Sequence, residues 1–130
     1  MKNEFTLSAI LNVKPEIAYK AWLNGKEHSN FTGSPAKINP KVGGTFTAWD
    51  GYISGKTMEL EPNKRILQKW RTTEFPDKSP DSMLEITFEN VDKGTKLTIR
   101  HFNIPEGQAE EYKKGWKDYY FEPMKKYFSF

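Results

Sequence analysis

Residues 111–130, EYKKGWKDYYFEPMKKYFSF, decide the fold, because their apolar side chains repeat at the spacing of an α-helix. At about 100° per residue, one broad stripe contains the side chains at positions 109, 112, 116, 119, 120, 124 and 127. The opposite side carries charged residues such as Glu110 and Lys117. The pattern predicts a long amphipathic helix, with a kink near Tyr119–Pro123 because proline removes a backbone donor.

The chain before this helix is typical of one antiparallel sheet. Residues 5–13 alternate polar and apolar side chains, which predicts a half-buried strand, and Pro15 then begins a short helix. From residue 33 to residue 102, about six strands are separated by turn signals such as Asp50–Gly51, with Gly55 as a candidate bulge. No connection is long enough for a crossover helix, so the strands are expected to pair antiparallel. A curved sheet leaves a gap beneath a covering helix, and the aromatic residues of that helix are expected to fill it.

Composition limits the classes of protein to be considered. A length of 130 residues fits a single domain, 1–130, and an aromatic content of 15% permits a substantial core. Without cysteine there can be no disulfide, thiol nucleophile or thiolate metal site. The two histidines lack metal-binding spacing, and no phosphate-binding, dinucleotide-binding or nucleophile-elbow motif is present. We therefore expect no metal and no cofactor.

Charge and hydropathy suggest the compartment and exclude one class of partner. The net charge is +3, but the lysines are scattered among acidic residues and form no basic run, so no nucleic-acid partner is expected. The N-terminal residues contain no apolar stretch of signal-peptide length, and no segment approaches the length of a membrane span. The default expectation is a cytoplasmic protein without a membrane span.

Short motifs along almost the whole chain resemble one known family. In their order and spacing they are similar to the C-terminal domain of the activator of the heat shock protein 90 ATPase and its stand-alone relatives. This family lies in the START-like (Bet v 1-like) superfamily. The matching pieces are Gly43–Phe46, Asp50–Gly51 with Gly55, Leu60–Pro62, Arg65–Ile66, Trp70–Arg71, Gly94–Leu97, Ile104–Pro105, Gly115–Trp116 and Tyr119–Phe121.

The resemblance implies an α+β helix-grip fold, in which a curved antiparallel sheet wraps around the long C-terminal helix. Members of the superfamily often bind apolar ligands in a cavity beneath that helix, and a few perform chemistry there. In the eukaryotic co-chaperone, stimulation of the chaperone ATPase depends heavily on a separate N-terminal domain, for which these 130 residues hold no counterpart. Many relatives carry paired tryptophans where this chain has Asn30–Phe31.

Strand parity and the helical stripe select candidate ligand-binding residues. His101 shares the inward face of its strand with Leu97 and Ile99. It is therefore a core histidine bonded to a carbonyl, tyrosine or water, an anchor for a ligand carboxylate or hydroxyl, or a catalytic base. His28 stands alone and is expected on the surface, whereas Asp50 is expected to begin a turn rather than act as a catalytic acid. The full set proposed to line a cavity is Phe46, Gln68, Trp70, His101, Trp116 and Tyr120.

Three functional hypotheses follow. The first is a non-enzymatic START-like domain that binds a small apolar or amphipathic ligand between sheet and helix. The second is a co-chaperone-type interaction module whose partner is a chaperone of the heat shock protein 90 class. Phe121 and Phe128 fall outside the stripe, so they either mark a partner surface, with the nearby lysines, or pack against the first helix or a loop. The third is a small cyclase or hydrolase, although no nucleophile–base pair is visible in the sequence.

Overall fold

The computed structural model describes residues 3–128, and the ends of the expected domain, residues 1–2 and 129–130, lie outside this part. The described chain forms one seven-stranded antiparallel sheet in the order β1-β7-β6-β5-β4-β3-β2. Its strands are β1 (Phe5–Leu11), β2 (Lys37–Ile38), β3 (Thr45–Ala48), β4 (Ile53–Glu61), β5 (Arg65–Thr72), β6 (Ser82–Val91) and β7 (Gly94–Phe102). The predicted α+β class and the predicted order of elements are confirmed.

Two short helices follow the first strand, α1 (Pro15–Leu23) and α2 (Gly25–Thr32). Proline occupies the first turn of α1, where its missing N–H costs no hydrogen bond. Asn24 caps α2, because its Oδ1 accepts a hydrogen bond of 2.9 Å from the backbone N–H of Glu27. Gly33 ends α2 in the left-handed conformation, with a φ of 79°. The sequence predicted the first helix and only an additional turn at the second.

The C-terminal helix contains a wide turn. It comprises α3 (Ala109–Trp116), a π-helical turn (Lys117–Phe121) and α4 (Glu122–Tyr127). The N–H of Glu122 bonds to the carbonyl of Lys117, five residues earlier, immediately before Pro123. The irregularity near Tyr119–Pro123 therefore takes the form of a π-helical turn, which holds one residue more than an α-helical turn.

This extra residue changes which aromatic side chains are buried. It moves every later position back by about 100° around the helix axis relative to a regular α-helix. Phe121 and Phe128 are consequently part of the buried stripe and not outside it. Their burial agrees with the alternative that they pack within the fold and contradicts the alternative that they mark a partner surface. Tyr119 and Tyr127 were assigned to the stripe, yet their exposed fractions are 59% and 37%.

Strands β3 and β4 are joined by a turn with an unusual backbone. The hairpin predicted at Asp50–Gly51 is confirmed, but the left-handed conformation already begins at Trp49, whose φ is 54°. A positive φ is rare for a bulky residue. The turn is held in place because the N–H of Asp50 donates to the carbonyl of Pro35 at 2.9 Å.

The bulge of β4 lies at Met58 rather than at the predicted Gly55, since the pairing register with β5 shifts between Thr57 and Glu59. Gly55 has a different role. A Cβ added at this position would lie 1.9 Å from the carbonyl oxygen of Lys69 and 2.5 Å from the ring of Phe46. Glycine is thus required so that the Phe46 ring can cross β4.

Candidate functional site

The C-terminal helix lies across the inner face of the sheet, and aromatic rings fill the interval. Trp116 and Tyr120 are each only 3% exposed. The ring centroid of Trp116 lies 5.6 Å from that of Trp70 on β5 and 6.0 Å from that of Trp22 on α1. Because aromatic pairs at such distances attract one another beyond simple burial, this layer joins helix and sheet firmly.

His101 is fully buried on β7 and uses both ring nitrogens. The indole N–H of Trp116 donates to Nδ1 over 3.1 Å, so Nε2 carries the proton and donates to Ser82 Oγ at 2.8 Å. Ser82 in turn donates to the carbonyl of Trp70 at 2.7 Å. Burial lowers the pKa of His101 to about 3, which keeps the imidazole neutral.

His28 is also buried, so its predicted surface position is wrong. Its Nδ1–H donates to the carbonyl of Trp22 at 3.0 Å, and its Nε2 accepts from the hydroxyl of Tyr120 at 2.8 Å. Burial lowers the pKa of His28 to about 4, and burial likewise raises the pKa of Tyr120. The three-residue spacing of His28 and Phe31 on α2 is the sequence signal that could have indicated a shared buried face.

The space directly beneath the helix is filled by side chains. The gap that remains there has a volume of about 10 Å³, which does not exceed what a single water molecule needs. Phe46 and Gln68 line this gap, and Gln68 donates to Thr57 Oγ1 at 3.2 Å. Among the described residues no buried side-chain nitrogen or oxygen atom lacks a hydrogen-bond partner.

A larger groove opens beside the helix, between α3, the π-helical turn and the β3–β4 turn. We call it the Trp49 groove, and its volume is about 380 Å³. Small ligands bind in sites of this size. It is lined by Trp49, Tyr52, Ile53, Trp70, Glu111, Tyr112, Gly115, Trp116, Tyr119 and Tyr120.

The six residues proposed from the sequence divide between these two spaces. Trp70, Trp116 and Tyr120 line both the groove and the inner gap, whereas Phe46 and Gln68 line only the gap. His101 lines neither of them. Sequence reasoning missed Trp49, Tyr52, Glu111 and Tyr119 as lining residues, although the position of Trp49 next to the Asp50–Gly51 turn was a usable signal.

Trp49 of the β3–β4 turn packs against the π-helical turn across the groove. Its ring centroid lies 5.7 Å from that of Tyr119 and 6.4 Å from that of Tyr120. On α3, the hydroxyl of Tyr112 donates to Gln108 Oε1 at 2.6 Å and bonds to Thr72 Oγ1 at 2.8 Å. On the β3–β4 side, the hydroxyl of Tyr52 donates to a carboxylate oxygen of Glu74. Within residues 3–128 no group of three or more histidine or carboxylate side chains could hold a metal ion, and no helix has the length and apolar character needed to cross a membrane.

Comparison with known proteins assigns the family. The family model described as "Activator of Hsp90 ATPase homolog 1-like protein" matches residues 12–129. The human Activator of 90 kDa heat shock protein ATPase homolog 1 is 31% identical over 127 residues, which are 98% of this chain and 37% of the human protein. A homologue from Dictyostelium discoideum is 30% identical over 100% of this chain and 32% of its own length. The chain thus spans about a third of these relatives.

Solved structures agree with this assignment. An HSP90 activator from Plasmodium falciparum superposes with a TM-score of 0.80 at 28% identity, covering 92% of this chain and 90% of that one. A protein from Chromobacterium violaceum superposes with a TM-score of 0.79 at 25% identity, covering 97% of this chain and 96% of that one. The chain therefore has the START-like helix-grip fold and belongs to the family of Activator of Hsp90 ATPase homolog 1-like proteins.

Proposed function

We propose that this domain binds a chaperone of the heat shock protein 90 class as a co-chaperone-type interaction module. The observation that carries the proposal is the alignment of 98% of the chain with the human ATPase activator at 31% identity. Because the chain corresponds to 37% of that protein, the proposal covers binding and not stimulation of the ATPase.

The interior of the fold also favours a function at the surface. The residual gap of about 10 Å³ beneath the helix leaves little room for a ligand. Phe121 and Phe128 are buried and cannot contact a partner without a rearrangement, so the contact surface must be built from other residues. The exposed lysines of the C-terminal helix are the candidates that remain from the sequence analysis, and Lys117 and Lys125 are two of them.

Direct titration of the domain with the purified chaperone from the same organism tests the proposal, with light scattering or calorimetry as the readout. Association at micromolar concentrations is expected. The double variant Lys117→Glu/Lys125→Glu is expected to weaken it at least about tenfold, since reversed charges at an interface repel. Lys56→Glu/Lys69→Glu is the matched control, because these exposed lysines are cross-strand partners on β4 and β5. Absence of association by the unaltered domain would reject the proposal.

Binding of a small ligand is the second candidate function, and the Trp49 groove favours it. The groove is wide enough for a small molecule and is walled by aromatic side chains, which supply burial at about 25 cal/mol per Å². Catalysis by His101 finds no comparable support. Both of its ring nitrogens are engaged, so His101 would have to give up a hydrogen bond to Trp116 or Ser82 before it could act as a base.

A further inference from the structure

The lining of the Trp49 groove is rich in aromatic side chains. Seven aromatic side chains contribute to its wall: Trp49, Tyr52, Trp70, Tyr112, Trp116, Tyr119 and Tyr120. The face of an aromatic ring carries a negative potential, so a cation that lies against such faces is attracted to them.

The hydrogen-bonding atoms of several of these rings already have protein partners. The indole N–H of Trp116 is used by His101, and the hydroxyl of Tyr120 is used by His28. The hydroxyl of Tyr112 is bonded to Gln108, and that of Tyr52 to Glu74. These four side chains therefore offer a ligand no free donor, which disfavours a carboxylate or phosphate ligand.

Among the lining residues that the structure describes, a single one is charged, and it is a carboxylate. Glu111 is exposed, and no lysine or arginine within residues 3–128 lines the groove. None of the ion pairs within 4.0 Å in residues 3–128 involves Glu111, whereas the nearby Lys114 is paired with Asp118 at 3.1 Å. The charge on Glu111 is thus available to a positively charged ligand.

We propose that the Trp49 groove binds a small organic cation that carries an alkylated ammonium group. This inference rests on the second candidate function and names the class of ligand. Aromatic side chains surround the alkyl groups of such a cation and stabilise its charge, and a carboxylate adds a Coulombic attraction. An alkylated ammonium also needs few or no hydrogen-bond acceptors, which suits rings whose polar atoms are already engaged.

The matched ligands for the test are choline and 3,3-dimethylbutan-1-ol, which share one shape and differ in charge. Tryptophan fluorescence or the upfield shift of the ligand methyl protons in NMR measures binding to the full chain, because Trp49, Trp70 and Trp116 line the groove. We expect choline to bind at least about fivefold more tightly than the neutral alcohol. Equal affinity for the two ligands would overturn the cation proposal and leave ligand binding itself intact. No binding of either at tens of millimolar would overturn both.

Variants of two adjacent glutamates test how much the charge of Glu111 contributes to the affinity for choline. Glu111→Gln is expected to weaken choline about threefold and leave the alcohol unchanged, because only the Coulombic attraction is lost. Glu110→Gln is the control, since Glu110 is exposed but does not line the groove. If Glu110→Gln weakened choline as much as Glu111→Gln did, a general effect of net charge would explain the result and the assignment of Glu111 would be wrong.

Discussion

The indole N–H of Trp116 donates to Nδ1 of His101 over 3.1 Å, so the C-terminal helix is joined to β7 by an imidazole that must be neutral. One helical turn later, the hydroxyl of Tyr120 donates to Nε2 of His28 over 2.8 Å, and this joins the helix to α2. Both bonds require an unprotonated acceptor nitrogen. Two histidines from distant parts of the chain therefore hold the wall of the Trp49 groove in position.

We predict from this arrangement that stability falls at mildly acidic pH. The folded pKa values of His28 and His101, about 4 and about 3, lie below the ordinary value of 6.5, so the unfolded chain binds more protons. The stabilisation is complete well above pH 6.5 and is lost progressively as the pH falls through 6.5, toward 4 for His28 and toward 3 for His101. Each histidine should contribute a slope of about 1.4 kcal/mol per pH unit below pH 6.

Urea unfolding at a series of pH values between 7.5 and 4.5 measures this slope. His101→Gln and His28→Gln should each reduce the slope by about 1.4 kcal/mol per pH unit, which corresponds to one proton. This difference separates the contribution of the histidines from that of carboxylates, which titrate at lower pH. Imidazole proton resonances that titrate near pH 6.5 in the folded protein would contradict the prediction.

Tyr120→Phe is predicted to destabilise the fold by about 1–3 kcal/mol. The substitution keeps the ring but removes the hydroxyl, which leaves the buried Nε2 of His28 without a donor. Tyr119→Phe is the adjacent control, because Tyr119 is largely exposed and its change should stay within about 0.5 kcal/mol. Chemical denaturation of the two variants side by side provides the comparison, and equal losses would mean that the His28 bond adds no stability.

Gly55→Ala is predicted to be strongly destabilising, by about 3 kcal/mol or more. The added methyl group would meet the backbone carbonyl of Lys69 at 1.9 Å, and a backbone atom within a sheet cannot move aside easily. Gly115→Ala is the contrasting change. Its Cβ would have only Tyr119 at 4.0 Å, so removing a glycine from the interior of α3 should stabilise the protein by about 0.5–1 kcal/mol. Thermal melts distinguish the two, and a Gly55→Ala variant as stable as the parent would refute the close approach.

The sheet could be predicted from the sequence, whereas the phase of the last helix and the position of His28 could not. A strand such as β1 is encoded by the alternation of its own side chains, and the short turns determine which strands pair. The burial of His28 depends instead on Tyr120, which lies 92 residues away. The Trp49 groove depends on a left-handed backbone at Trp49, which local propensity disfavours for a bulky residue.

Replacing each of two neighbouring aromatic residues tests the π-helical turn, because the phase of α4 decides which of them is buried. A regular α-helix would place Tyr127 on the stripe and leave Phe128 outside it, whereas the extra residue in Lys117–Phe121 reverses this order. Phe128→Ala should cost about 3–5 kcal/mol, as expected for a buried ring. Tyr127→Ala should cost about 1 kcal/mol, since it loses one exposed hydrogen bond to Glu27 and part of a ring contact with Phe31. Denaturant titrations that gave the larger loss to Tyr127→Ala would show that the helix continues without the extra residue.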